Sequence, residues 1–227
     1  METRIVYAAV MGSRAWNLHH QDSDYDNRYV FIRPVAEYLT LGKQPDRTIT
    51  TADSVGWDIL KHLGLLAASN IGALEWLYSP LVQHDSGYRD DALALAEEHF
   101  DPSRAVRHYA GLSKSNYLRY IESGKQPSVK KYANICRGLL MARWVYDYGV
   151  MAPLDIDKLK LSSPITIDSL VYLKRTNRAE VNLGLAQDLN RWIMRQFEFF
   201  RYASMPDSKP VTPEPFLELA RDFILNQ

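Results

Sequence analysis

One tight bend between two extended segments constrains this chain more than any other stretch. Residues 5–10, Ile-Val-Tyr-Ala-Ala-Val, form a short apolar run bounded by Gly12, and that run reads as a buried strand. The bend follows as Gly12-Ser13-Arg14-Ala15-Trp16-Asn17. Then come Asp22-Ser23-Asp24-Tyr25-Asp26-Asn27-Arg28, running into the apolar finish Tyr29-Val30-Phe31-Ile32. Residues 24–32 read as a second strand whose first half carries acid. Side chains on a strand repeat with period two and rise ~3.3 Å per residue, which places Asp24 and Asp26 on one face, about 7 Å apart at the backbone, with Tyr25 opposite.

Two carboxylates held side by side need a compensating charge. At ~4 Å and an effective dielectric near 20 their repulsion costs about 4 kcal/mol. A proton or a divalent ion relieves it, and Mg²⁺ takes one or two protein carboxylates and completes its shell with phosphate oxygens and water. Gly12 has no Cβ to obstruct a close-approaching phosphate, and Ser13 adds a hydroxyl to the backbone N–H groups of the bend. Arg14 is placed to bind phosphate or to pair with a carboxylate of the same site. Asp22, Asp24 and Asp26 also imitate the start of a calcium-binding EF-hand loop. That loop needs Gly at its sixth position and Glu at its twelfth, where this chain has Asn27 and Arg33. The calcium reading fails.

Gly-Ser, about ten residues, then Asp-x-Asp on a strand resembles the signature of the polymerase-β superfamily of nucleotidyltransferases. The longer form, carried by Gly12, Ser13, Arg14, Ala15, Trp16, Ser23, Asp24, Tyr25, Asp26 and Arg28, resembles one branch, the RNA-repair-associated polymerase-β-like nucleotidyltransferases. Asn17 departs from the pattern, which usually has Gly there. The stretch around Asp53, Gly56, Trp57, Asp58, Lys61, Ser69, Asn70, Glu75, Trp76, Leu77, Ser79 and Pro80 is similar to the family as well.

A third acid is expected on a neighbouring strand, with Asp53 and Asp58 as candidates. They are five residues apart, so on a straight strand they face opposite sides and only one joins the site. A bulge at Gly56 would change that parity. The reading leans towards Asp58. For either acid the structural alternative is a helix cap or first-turn carboxylate. The cluster Lys130-Lys131-Tyr132 with Arg137 is, by itself, equally an exposed helix start. The resemblance implies that this cluster opens the helical half and meets a triphosphate, Arg by a bidentate fork and Lys as a point charge. Lys114, Asn116 and Tyr117 are weaker candidates of the same kind. His19 and His20 are expected to be solvated, and Trp16, Trp57 and Trp76 to be core.

Further along, residues 42–47 read as a loop, and residues 48–51 as the start of a third strand continuing towards Val55. From Trp57 the period becomes helical through Ile59, Leu60, Leu63, Leu66 and Ala67, with Asn70 and Gly72 ending that helix. A shorter helix spans residues 73–78. Pro102 opens a long helix to residue 123, residues 124–127 break it, and residues 129–148, 180–202 and 213–224 form three more. Residues 151–177 read as loop and short helix. The fold class is α+β: a polymerase-β-like mixed sheet with helices over residues 1–100, then an all-helical half over residues 101–227. The expectation is that the halves pack together around a nucleotide cleft.

Lys plus Arg and Asp plus Glu number 27 each, so no global basic field gathers nucleic acid, and a polynucleotide partner would need a local basic patch. Cys136 alone can form neither an internal disulfide nor a Cys-based zinc site. No signal segment and no apolar run near ~18 residues is present, and a cytoplasmic protein without membrane association is expected. The reading is a metal-dependent nucleotidyltransferase moving a nucleoside monophosphate from an NTP to an acceptor hydroxyl, with release of pyrophosphate. Gly12 and Ser13 hold the terminal phosphates. Asp24 and Asp26 bind Mg²⁺ or Mn²⁺, with Asp58 or Asp53 completing a second metal site and acting as base. The resemblance implies an RNA end as acceptor, a protein or small molecule being the other classes. A non-catalytic nucleotide-binding or partner-binding module of the same fold is the alternative.

Overall fold

The first strand, β1 (Arg4–Met11), forms where expected, with Val6, Tyr7, Ala9, Val10 and Met11 buried. The structure is a computed structural model describing residues 3–41, 45–123, 128–160 and 164–226. β2 (Asp26–Ile32) pairs antiparallel with β1, Met11 lying opposite Asp26 and Tyr7 opposite Val30. Asp24 therefore precedes the strand instead of sitting on it. The period-two argument applies to Asp26 and Arg28, which share a face with Val30 and Ile32.

Residues 48–58 make a hairpin of two strands, β3 (Thr48–Thr50) and β4 (Ser54–Asp58), where one strand was expected. Thr51 donates its N–H to the Ser54 carbonyl at 2.9 Å, closing the turn. β4 runs parallel to β2, with Asn27 beside Ser54 and Phe31 beside Asp58 in unbroken register. No bulge forms at Gly56. A Cβ there would fall 2.2 Å from the Tyr29 ring, so this glycine makes room for the tyrosine packed across it. A further strand, β5 (Val82–Asp85), pairs antiparallel with β1. The sheet order is β3-β4-β2-β1-β5, mixed in sense.

Around this sheet fold α1 (Gly12–Ala15), α2 (Val35–Tyr38), α3 (Ile59–Ala67), α4 (Ile71–Tyr78) and α5 (Tyr88–Glu98). Asn70 starts α4, its side chain accepting the N–H groups of Gly72 and Ala73. Trp57 stacks on Trp76 with ring centres 4.0 Å apart, and Trp76 on His62 at 5.4 Å, so Trp76 is core and the half-buried Trp57 covers it. Tyr7 donates its hydroxyl to the Trp76 carbonyl at 2.6 Å, tying β1 to α4.

The helical remainder comprises α6 (Pro102–Tyr117), a π-helical turn over Leu118–Glu122, α7 (Val129–Tyr148), α8 (Ile156–Leu159), α9 (Ile165–Arg175), α10 (Leu183–Tyr202) and α11 (Glu214–Leu225). Within it α7 is the central helix, buried along Tyr132, Ile135, Leu139, Ala142 and Val145 and packed against α6, α8, α9 and α10. The chain forms two compact units. One holds residues 1–15, 24–101 and 209–227, and the other residues 16–23 and 102–208. The last helix thus belongs with the sheet: Phe223 meets Tyr88 edge-on at 5.5 Å, and Phe216 lies 5.6 Å from His99. The eight residues between the Gly-Ser bend and Asp24 belong with the helices. None of the described helices is long and apolar enough to cross a membrane.

Candidate active site at the Gly-Ser bend

Gly12 follows β1 directly and has φ +68°, a conformation that costs an L-residue ~1–2 kcal/mol. Its Cα faces the Asp26 carboxylate so closely that a Cβ would sit 3.2 Å from both Cβ and Oδ2 of Asp26. The pairing of Met11 with Asp26 across the β1–β2 ladder sets this juxtaposition. The other oxygen, Oδ1, receives the Arg28 guanidinium at 2.6 Å, as a residue two places along the same strand face can provide. The Asp26 side chain remains 42% exposed, so it is open to a ligand. Asp24 and Tyr25 are exposed, and Arg14 stacks over the Tyr25 ring at 3.9 Å.

The two candidates for the third acid separate. Asp53 directly precedes β4, and its carbonyl accepts the Asn27 N–H at 3.2 Å, which puts its backbone beside the start of β2. Asp58 lies next to Phe31, five residues along β2 from Asp26. That is roughly 16 Å away, and an odd number of steps puts it on the opposite face. Its carboxylate is buried and already committed: Tyr38 donates its hydroxyl to Oδ2 at 2.7 Å, and Leu60 donates its N–H to Oδ1 at 3.0 Å as the cap of α3. Burial pushes the Asp58 carboxyl above the usual range, with the Tyr38 and Leu60 hydrogen bonds opposing that shift. β4 runs straight through Gly56, so the two candidates stand apart: the Asp53 backbone lies beside the start of β2, and Asp58 lies by Phe31 on the opposite face. Among the described residues, no three His, Cys, Asp or Glu side chains converge closely enough to hold a metal ion. Asp26 offers one open carboxylate at the bend, and Asp24, just ahead of β2, is a second exposed acid.

The basic cluster of the helical unit divides by role. Tyr132 is wholly buried and donates its hydroxyl to Asn190 Oδ1 at 3.0 Å, which makes it a core residue. Lys131 sits over the Tyr120 ring at 3.7 Å, and Arg137, itself buried, over the Trp16 ring at 3.7 Å. Lys130 is exposed. Burial, with the Lys130 charge added to it, holds the Lys174 ammonium below its ordinary pKa. His20 is structural: its Nδ1 accepts the Asp22 N–H at 3.2 Å.

A network that the sequence does not reveal surrounds Asn17. Its side-chain amide donates to Asp155 Oδ1 at 3.2 Å and Asp157 Oδ2 at 3.0 Å, and Arg175 grips its carbonyl at 2.9 and 2.7 Å. Arg175 also pairs with Asp157 at 2.6 Å. The partners lie up to 158 positions apart, and no local pattern joins them. Asn17 has φ +56°, a left-handed conformation that Asn tolerates better than other non-glycine residues.

Residues 1–218 match the RNA repair pathway DNA polymerase beta family, RlaP. The chain belongs to this family. It is also 31% identical, over 186 residues, to the uncharacterized protein YcgL of Bacillus subtilis (strain 168), covering 78% of this chain and 71% of that one. The family match takes in the Gly-Ser bend, Asp24, Asp26 and Asp53 together, and the polymerase-β-like resemblance thereby extends to nearly the whole chain. Asn17, where the resemblance leads one to expect glycine, holds a left-handed backbone conformation that glycine adopts freely.

Proposed function

We propose that this protein is a Mg²⁺-dependent nucleotidyltransferase that moves a nucleoside monophosphate from an NTP to an acceptor hydroxyl. The observation carrying this reading is the bare Cα of Gly12 set against the open Asp26 carboxylate, a recess that any side chain at position 12 would fill. Backbone N–H groups of the bend and the Ser13 hydroxyl orient the β- and γ-phosphates. Asp24 and Asp26 would hold the metal, which when bound supplies Lewis-acid polarisation of the phosphoryl oxygens. Arg28 keeps the Asp26 carboxylate oriented through its 2.6 Å contact. Asp53 takes the proton from the acceptor hydroxyl as its oxygen bonds to the α-phosphorus. The α–β phosphoanhydride bond breaks, and pyrophosphate leaves. The protein contributes placement and charge more than covalent chemistry.

The test is transfer from labelled NTP, with Mg²⁺ or Mn²⁺, to RNA, protein and metabolite acceptors. Asp26→Ala is expected to lower turnover ~10³-fold, the equivalent of about 4 kcal/mol of barrier. Near-wild-type transfer by that variant would overturn the site. NTP binding by the wild type without transfer to any acceptor would favour the binding-module reading instead.

A further inference from the structure

The neutral overall charge hides two oppositely charged units. The helical unit has 17 Lys and Arg against 10 Asp and Glu, and the sheet unit has 10 against 17. The helical unit also carries an open groove of about 980 Å³ between α6, the π-helical turn and α10. Five cations line it: Arg107, Lys114, Arg191, Arg195 and Arg201, against two carboxylates, Glu122 and Glu198. Four aromatic rings, Tyr117, Phe197, Phe200 and Tyr202, share the lining with them. Tyr117 and Phe197 are locked edge-on at 5.6 Å, whereas Tyr202 is 73% exposed and Met194 is 52% exposed.

We propose that this groove binds single-stranded nucleic acid, with phosphates along the cations and bases against the aromatic rings. Cations together with aromatics are what a strand with unpaired bases requires, since stacking needs a free base face and a duplex hides it. On α10 the cations run from Arg191 to Arg201, a span of roughly 15 Å at 1.5 Å per residue. That matches about four phosphates of a stacked strand at ~3.4 Å each. An acidic peptide would satisfy the cations but leave the rings without planar partners. As the seat of the acceptor strand the groove rests on the transferase reading; as a binding surface it does not depend on it.

The test is fluorescence anisotropy of a labelled mixed-sequence RNA of about 12 nucleotides, without NTP or divalent ion, across roughly 50 to 200 mM salt. The same strand as DNA, the RNA duplex and polyglutamate are run alongside. Wild type is expected to bind the single strand at least ~10-fold more tightly than the duplex, because only the single strand offers stacking faces. Tighter binding of either RNA or DNA single strand supports the proposal. Lys114→Ala with Arg195→Ala, both exposed positions, is expected to weaken binding ~10-fold. It should also flatten the slope of log affinity against log salt by ~1.4, from two lost phosphate contacts. Tyr202→Ala is expected to weaken binding ~5-fold or more with the slope unchanged. Arg221→Ala, an exposed cation on α11, should bind as wild type. Asp26→Ala should keep strand binding while losing transfer, which separates failure of the groove from failure of the active site. No wild-type binding of single strands, an unchanged slope in the double variant, or equal competition by polyglutamate would each overturn the proposal.

Discussion

Replacing Gly12 by Ala tests the active-site geometry most directly, because the substitution exchanges a hydrogen for a methyl group where the structure leaves little room. Two costs are separable. The backbone at φ +68° charges an L-residue ~1–2 kcal/mol wherever it occurs. The new Cβ, 3.2 Å from Cβ and Oδ2 of Asp26, must also push that side chain aside by a few tenths of an ångström. Asp26 is held on its other oxygen by Arg28 at 2.6 Å, so the displacement forces it off its rotamer at about 0.5–1.5 kcal/mol. Gly87 supplies the internal control. It lies in the same unit with φ +90° and nothing within 4 Å of a built Cβ, so Gly87→Ala bears the first cost alone. Urea unfolding of the two variants should therefore differ by about 1 kcal/mol, with Gly12→Ala the weaker. Turnover should separate them more widely: Gly87→Ala transfers as wild type, and Gly12→Ala falls ~10-fold or more, since small misplacements of a catalytic group cost heavily. Equal destabilisation of the two variants together with wild-type turnover in Gly12→Ala would refute the reasoning that the recess exists for a ligand.

Two more predictions follow from committed side chains. Asp58→Ala removes the cap of α3 and the acceptor of the Tyr38 hydroxyl, so it should lower stability by ~1–2 kcal/mol and leave transfer within ~10-fold of wild type; Asp53→Ala should do the reverse, and matching kinetic losses in both would restore Asp58 to the site. His62, wholly buried with Nε2–H donating to the Ala73 carbonyl at 3.2 Å and Nδ1 accepting from Tyr88 at 2.7 Å, has its pKa pushed down by burial from 6.5 to about 3. Below pH 6.5 the unfolded chain binds a proton that the folded chain refuses, so stability falls as pH drops, by about 3 kcal/mol near pH 4.5. A His62→Gln variant showing the same acid slope in calorimetry would sink that assignment.

What the sequence declared, it declared through local pattern. The central helix Val129–Tyr148 and the amphipathic run Glu214–Leu225 fold within a residue of the bounds their pattern predicts. The β-branched run at 48–51 continues smoothly into Val55, so local pattern predicts one strand where the hairpin of β3 and β4 forms. The reversal rests on a two-residue bend closed by a single backbone bond from Thr51 to Ser54. β5 was invisible for a different reason. All four of its residues are exposed, so it lacks the apolar alternation by which a strand is recognised. Separating Asp53 from Asp58 needed one fact that local pattern cannot supply, namely the register of β4 on β2, which sets Asn27 beside Ser54 and Phe31 beside Asp58. The loop residues 42–44 and the break at 124–127 lie outside the described residues.

The charge balance shows how a true global statement misled locally. Equal totals of 27 acids and 27 bases argued against a basic field, but the sum runs over two units with opposite excesses. A tally by segment shows the excess from the sequence alone: divided at residue 100, the chain has 8 bases against 14 acids before the cut and 19 against 13 after it. The two units differ from that division because each borrows from elsewhere in the chain: residues 16–23 join the helices, and residues 209–227 join the sheet. The first of these exchanges also explains the spacing of the signature. Between Ser13 and Asp24 the chain must leave the sheet, turn at Asn17 in a left-handed conformation fixed by Asp155, Asp157 and Arg175, and return in time to pair Asp26 with Met11. The ten residues between serine and acid are thus the length of an excursion through a second packing environment. A deletion within them should strip the helical unit of Asn17 or Trp16 before it disturbs Gly12.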